Sequence, residues 1–181
     1  ATIKLNVLKY KLPMFYCNTD VSQTEIVIDG GSMVYDKEGN LCKSLPMFKE
    51  EFETVILNDD GTIDSPIIEL AEYLPNAELN IRDFQPELNL EMIHEALLLG
   101  IRDYFKKMGF TKAILGSSGG IDSALVLTLA CEALGKENVR AILMPSPYSS
   151  EHSVKDAEQL SKNLGNPYNI IRIDSIYEDF L

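Results

Sequence analysis

The chain's 181 residues suffice for one ordinary domain or parts of two, and an apolar content of 45% is enough for a packed core. A net charge of −12 argues against a nonspecific nucleic-acid surface, which needs a basic footprint, but a small phosphorylated ligand needs only a local site. Cys17, Cys42 and Cys131 are an odd set without C-x-x-C spacing or a histidine cluster, which points away from a disulfide framework and from zinc. With no leader and no twenty-residue apolar run, the expectation is a cytoplasmic protein that meets neither membrane nor nucleic acid.

In Ala1–Tyr10, Ile3, Leu5 and Val7 alternate but Leu8 breaks the rhythm, so a strand and a helix end both stay open. Pro13–Asn18 reads as a short buried strand containing Cys17, which is therefore expected to be structural rather than a nucleophile. Thr24–Ile28, Ser32–Tyr35, Leu41–Ser44 and Thr54–Leu57 follow as further strands. Turns such as Asp29-Gly30-Gly31 and Asp36-Lys37-Glu38-Gly39-Asn40 separate them, and an antiparallel meander is predicted. Asn58–Pro66 is acidic and turn-rich, and a linker is expected over 59–87, with a short helix at Ile67–Tyr73 capped by Ser65 and closed before Pro75.

A second domain is expected over 88–181. Leu90, Ile93, Leu97, Ile101, Tyr104 and Phe105 recur at helical spacing up to Gly109, with Lys106 and Lys107 in the last turn. His94 adjoins that stripe and is read as a surface or partly packed side chain. Strand and helix then alternate. A strand from Ala113 meets a Gly/Ser loop, and a helix over Ser123–Leu134 ends at Gly135. Val139–Met144 is nearly all apolar, as for a parallel strand covered on both faces. Ser153 with Asp156 resembles a capping box, and Val154, Ala157, Leu160 and Leu164 form one helix face up to Gly165. Asn169–Ile173 is a third strand, and Ser175–Leu181 begins another helix. This β-α-β-α-β series predicts a doubly wound parallel sheet whose ligand sits at the carboxyl ends of the strands.

Chemistry concentrates in Ala113-Ile114-Leu115-Gly116-Ser117-Ser118-Gly119-Gly120-Ile121-Asp122-Ser123. N–H groups and hydroxyls at a helix N-terminus favour an anion, and phosphate is the obvious one. No Lys follows the glycines as the Walker form requires, and G-x-G-x-x-G is absent. A carboxylate inside such a loop repels phosphate unless a cation stands between them, so Asp122 argues for Mg²⁺.

Ser118-Gly119-Gly120-Ile121-Asp122-Ser123 matches the S-G-G-x-D-S loop of the ATP pyrophosphatases. Glu132-Ala133-Leu134-Gly135, Leu143-Met144-Pro145-Ser146-Pro147-Tyr148-Ser149-Ser150, Asp156-Ala157 and Asn163-Leu164-Gly165 extend the match, and the series resembles NAD synthetase in its glutamine-dependent form. Upstream, Tyr16-Cys17-Asn18, Glu25, Asp29-Gly30-Gly31-Ser32 and Asp36…Gly39 resemble the closing strands of that family's nitrilase-like glutaminase domain. The resemblance implies an antiparallel tail of a nitrilase-like α-β-β-α domain over 1–58. A doubly wound, adenine nucleotide α-hydrolase-like domain follows, and both are expected to be incomplete, so that this piece alone is inactive. It implies amidation of nicotinic acid adenine dinucleotide by a multimer, with ATP, Mg²⁺ and ammonia from glutamine. Gly116, Ser117, Ser118, Gly119, Gly120, Ile121, Asp122 and Ser123 are assigned to ATP and pyrophosphate, with Ser118 as the catalytic hydroxyl and Asp122 on the metal. Met144 is placed to offer backbone atoms to adenine. The loop alone fits a GMP synthetase, an asparagine synthetase or a tRNA sulfur-inserting enzyme equally, and a nucleotide-binding or assembly module without turnover is a further rival.

Overall fold

Ile3 and Val7 stand four residues apart, the spacing of one helix face, and the chain takes that option: α1 spans Thr2–Tyr10. Val7 is 1% exposed and packs with Tyr35 and Leu41, whereas Leu5, the middle of the alternating set, is 67% exposed. The helix stops where Lys11 turns to a φ of 56° and gives its N–H to the Val7 carbonyl at 2.8 Å. The computed structural model describes residues 2–66 and 86–174, and the chain divides into two units, Ala1–Ala96 and Leu97–Leu181.

Unit 1 continues with β1 (Met14–Tyr16), β2 (Asp20–Gln23), β3 (Ile26–Asp29), β4 (Met33–Tyr35) and β5 (Leu41–Ser44). They do not form the expected meander. β1, β4 and β5 make one antiparallel sheet in that order, and β2 pairs with β3 in a separate hairpin. Asn18 fastens the base of the hairpin, donating from Nδ2 to Asp29 Oδ1 at 3.0 Å and to the Gly30 carbonyl at 2.8 Å. Chain entering and leaving the hairpin is thereby held together, so β1 can continue its pairing with β4. Asp36 closes the β4–β5 turn by accepting the N–H groups of Glu38 and Asn40 at 3.0 and 2.7 Å.

Thr54–Leu57, expected as a strand, forms none. Ile56 is 64% exposed, and the stretch contributes only the isolated bridge Leu57↔Ile63. Residues 58–65, at the head of the segment read as linker, are attached to unit 1. Lys37 Nζ donates to the Asp60 carbonyl at 2.8 Å, and Ser65 Oγ donates to the Cys42 carbonyl at 3.0 Å. The helix expected at Ile67–Tyr73, the rest of the linker to 85 and the helix expected from Ser175 lie outside the described residues.

Helix α2 spans Pro86–Met108. Gly109 (φ 71°) ends it: Gly109 N–H goes to Lys106 O at 3.2 Å and Phe110 N–H to Phe105 O at 2.9 Å. The Phe105 and Phe110 rings meet edge-on with centroids 6.0 Å apart, the apolar contact that accompanies this ending.

In unit 2, β6 (Ala113–Gly116), β7 (Val139–Leu143) and β8 (Tyr168–Ile170) form a parallel sheet in that order. Two crossover helices join them, α3 (Ile121–Leu134) and α4 (Glu151–Leu164). Leu127 and Cys131 of α3, Val139, Ala141 and Leu143 of β7, and Ala157 of α4 make one buried cluster, so both helices cover the same face of the sheet. On the other face Arg140 is exposed and bonds Asn169 Oδ1 at 2.5 Å, and Ile114 is 74% exposed. The expectation that β7 is covered on both faces is therefore not met among the described residues. α3 starts at Ile121, two residues before its expected Ser123. β8 begins at Tyr168, one residue before the expected Asn169, and ends at Ile170. Mixed antiparallel and parallel α/β architecture is what the sequence led us to expect.

Leu127 is fully buried between α3 and β7. Leu127→Ala is expected to lower stability by about 3 kcal/mol through lost transfer energy and the cavity left behind. The urea midpoint at unchanged slope measures it; a loss below about 1 kcal/mol would contradict this account of the core.

Candidate phosphate-binding site

The parallel sheet sets the site. β6 ends at Gly116 and β7 at Leu143, side by side in register, so the segments that follow both strands emerge at one edge. Ser117 extends the pairing, giving its N–H to the Ile142 carbonyl at 2.9 Å. The chain then turns through Ser118, Gly119 and Gly120 into α3.

The turn is closed by a ring of small polar groups. Ser118 N–H donates to Ser123 Oγ at 3.2 Å, and Gly120 N–H donates to Ser118 Oγ at 3.2 Å. Ser123 Oγ donates to the Gly120 carbonyl at 2.9 Å, which consumes its one proton. In the 3.1 Å contact between the Ser118 and Ser123 hydroxyls, Ser118 is therefore the donor. Both hydroxyls hold the loop in shape, and the Ser118 hydroxyl meets Ser123 Oγ and the Gly120 N–H, neither of them a base. Neither partner activates Ser118 as a nucleophile.

Gly120 is the N-cap of α3 and has no side chain to cap it. The N–H groups of Ile121, Asp122 and Ser123 thus begin a helix with no acceptor of their own turn, the arrangement that receives an anion. Ile121 is 80% exposed and Asp122 is exposed beside it, so the first turn of α3 lies at the surface. Asp122 stands in the first helical turn, where its charge is also favourable to the helix dipole.

Gly119 has a φ of 81°, and a Cβ built there would lie 2.7 Å from both the Cα and the carbonyl carbon of Ser153. The loop thus rests directly on backbone in the first turn of α4. Ser150, not Ser153, caps that helix: its Oγ accepts Ser153 N–H at 3.1 Å. This corrects the box expected at Ser153 and Asp156, and it places Ser153 inside the helix. Sequence reasoning missed both Ser150 and Ser153 as neighbours of the loop. Gly-Gly signals a tight turn, but nothing local names the backbone that presses on it.

The remaining assigned residues are distributed as follows. Ser117 is 6% exposed, its Oγ is buried without a partner and its N–H is committed to β7, so it serves the loop from beneath. Met144 is half exposed just past β7, and its Cε lies 3.4 Å from where a Gly116 Cβ would stand. It lies over the end of β6, beside the loop. Among the described residues no group of three or more His, Cys, Asp or Glu could hold a metal. Asp122 therefore fits Mg²⁺ only in the manner of a nucleotide site, where one carboxylate and the phosphates share the ion.

Cys17 departs from expectation. It is exposed, one residue past β1, because Phe15 and Tyr16 of that strand are themselves 50% and 39% exposed. It lines a half-open cavity of about 180 Å³ with Phe15, Tyr16, Val34, Lys43 and Glu53. Lys43 is paired with Glu53 at 3.3 Å. Cys42 and Cys131 are buried, and burial raises both thiols above their ordinary pKa, as for structural cysteines.

A parallel α/β sheet with a glycine-rich turn opening a helix at its carboxyl edge is the arrangement in which α/β domains receive phosphorylated ligands. Residues 93–181 match the family model described as NAD synthase. The whole chain is similar to larger proteins. It is 38% identical over 197 residues to a glutamine-dependent NAD(+) synthetase of Thermotoga maritima, covering 99% of this chain and 34% of that protein. It is 41% identical over 178 residues to a protein of the same name from Synechocystis, covering 97% and 29%. A glutamine-dependent NAD+ synthetase of Acinetobacter baumannii, solved with ADP, superposes with a TM-score of 0.81 at 32% identity, over 99% of this chain and 31% of that one. The chain thus spans about a third of the length of these relatives.

Proposed function

We propose that this chain belongs to an enzyme that amidates nicotinic acid adenine dinucleotide to NAD, using ATP and ammonia drawn from glutamine. The observation that carries the reading is the loop from Gly116 to Ser123, with unpaired first-turn amides and one carboxylate at the edge of the parallel sheet. Its similarity to glutamine-dependent NAD(+) synthetases supports the choice of substrates, as does the relative solved with ADP. No helix among the described residues is long and apolar enough to cross a membrane. A multimer in the cytoplasm belongs to the same proposal.

In the reaction, a carboxylate oxygen of the acid attacks the α-phosphorus of ATP and the bond to pyrophosphate breaks, leaving an acyl-adenylate. Ammonia then attacks the acyl carbon and AMP leaves with the bonding electrons. Charge collects on the departing pyrophosphate, and the amides of Ile121, Asp122 and Ser123 receive it, while the Ser118 and Ser123 hydroxyls hold the loop that presents them. Asp122 would hold Mg²⁺, which neutralises phosphate charge when bound. Gly119 and Gly120 let the backbone approach, Gly116 and Ser117 carry the loop, and Met144 offers backbone to adenine.

Pyrophosphate release by the full-length protein tests this. It is expected to require ATP and nicotinic acid adenine dinucleotide together, with NAD formed in equal amount. Release that ignores the dinucleotide would assign the loop to another substrate. The 1–58 segment is proposed as the end of the glutaminase domain, 59–87 as the linker and 88–181 as the synthetase domain. The Lys43 ammonium that shares a cavity with Cys17 is engaged by Glu53, so it is not offered to the thiol as an activating charge. Cys17→Ala in the full-length protein is expected to leave glutamine hydrolysis within about twofold of wild type. Loss of that activity in a folded variant would make Cys17 a participant.

A further inference from the structure

We propose that Ser150 is a positioning residue for the phosphate loop, acting through Ser153 and Gly119; its catalytic consequence rests on the function proposed above. Three contacts in series carry it. Ser150 Oγ accepts Ser153 N–H at 3.1 Å, and the two hydroxyls lie 2.7 Å apart, which fixes the first turn of α4. The Ser153 backbone in turn lies against Gly119, so closely that no Cβ fits between them. Gly119 is the left-handed residue of the loop, flanked by Ser118 and Gly120, whose bonds close the ring with Ser123. If the α4 turn recedes, Gly119 loses the surface that holds its φ near 81°, and the ring opens from its middle.

The β7–α4 connection is built to keep that turn in place. Ser146 N–H donates to Ser149 Oγ at 2.9 Å, Tyr148 N–H donates to Ser146 Oγ at 3.3 Å, and Ser149 N–H donates to Ser146 O at 3.0 Å. Serines 146 and 149 thus fold the connection on itself immediately before the cap. Two loops after neighbouring strands are in this way one mechanical unit. Ser150, at the end of the second loop, acts on ATP binding through Gly119 rather than by contact with ATP.

Hydrogen–deuterium exchange of the full-length protein without nucleotide tests the coupling directly. In Ser150→Ala the amides of the 116–124 segment are expected to exchange about fivefold faster than in wild type, the consequence of losing one helix cap. The 139–143 strand should be unchanged. Ser150→Thr restores the capping oxygen and is expected to return the loop to wild-type exchange. Ser153→Ala keeps the backbone against Gly119 and should change the loop by less than about twofold, since its N–H still meets Ser150. In turnover assays Ser150→Ala is expected to raise KM for ATP about fivefold with KM for the dinucleotide acid unmoved. Equal loop exchange in wild type and Ser150→Ala overturns the proposal, whether or not α4 itself frays. If wild type releases no pyrophosphate from ATP, the proposed function fails, while the exchange measurement, which uses no nucleotide, still decides the role of Ser150.

Discussion

Gly119→Ala is expected to cost roughly 2–4 kcal/mol and to cut ATP cleavage on the order of a hundredfold. Two separate penalties add. Ala pays about 1–2 kcal/mol to occupy the left-handed region in which Gly119 sits at φ 81°. Its methyl group also meets main chain, 2.7 Å from Ser153 Cα and carbonyl carbon, which cannot swing aside like the end of a long side chain. Either α4 moves off the sheet or the loop leaves its conformation, and the second is worse for chemistry. A displacement of about 1 Å at a phosphate-holding loop is enough to lose about two orders of magnitude in rate. Gly116→Ala is the control for size alone. Its nearest contact is the flexible tip of Met144 at 3.4 Å and its φ is ordinary, so its stability should fall by under about 1 kcal/mol. Thermal unfolding and pyrophosphate release of both variants decide the matter. A Gly119→Ala protein as stable as wild type would show that the contact with Ser153 does not constrain the loop.

What the sequence made legible and what it did not divide along the range of the forces involved. Gly109 after Lys106 and Lys107 marked the end of α2, because a glycine ending needs only carbonyls within the preceding turn and an aromatic pair five residues apart. The loop and its helix were equally readable, since apolar strand, glycines and apolar helix follow one another without a gap. The α4 cap was not, because Ser150 and Ser153 both satisfy the local rule for a capping residue. Val154 and Ala157 face the core under either choice, so the apolar pattern could not choose between them. Strand order failed for a different reason. The β2–β3 hairpin turns at Thr24 with φ 53°, a conformation that no Gly or Asn advertised, and the Asp20–Gln23 strand is too polar to announce itself. Once that hairpin exists, Asn18 closes it and β1 reaches β4 across it. The exposure of Cys17 is likewise a property of which strand forms the sheet edge, and no window around Cys17 contains that fact. At the phosphate site, residue types were visible locally; the neighbours that hold them, Ile142 and Ser153, arrive only through the parallel pairing and the crossover.

Asp122→Asn should leave the fold intact and reduce pyrophosphate release on the order of 10²–10³-fold. The side chain is exposed in the first turn of α3, so an isosteric amide disturbs no packing. Losing the favourable interaction with the helix N-terminus costs at most about 1 kcal/mol. The effect on ATP depends on the cation, and its sign can be worked out. Without Mg²⁺ the Asp122 carboxylate faces polyphosphate across a loop that otherwise attracts anions, and like charges repel. Asparagine removes that repulsion, so the variant is expected to bind metal-free ATP at least as tightly as wild type. With Mg²⁺ present the order inverts, because wild type has an anionic oxygen to share the ion and the variant has only an amide. Calorimetric titration of ATP with and without Mg²⁺ therefore separates the metal role from a general phosphate-binding role, independently of turnover. An Asn variant whose ATP affinity gains from Mg²⁺ as much as wild type does, and which still releases pyrophosphate at the wild-type rate, would remove Asp122 from the metal site and leave the loop an anion cradle made of amides and hydroxyls alone.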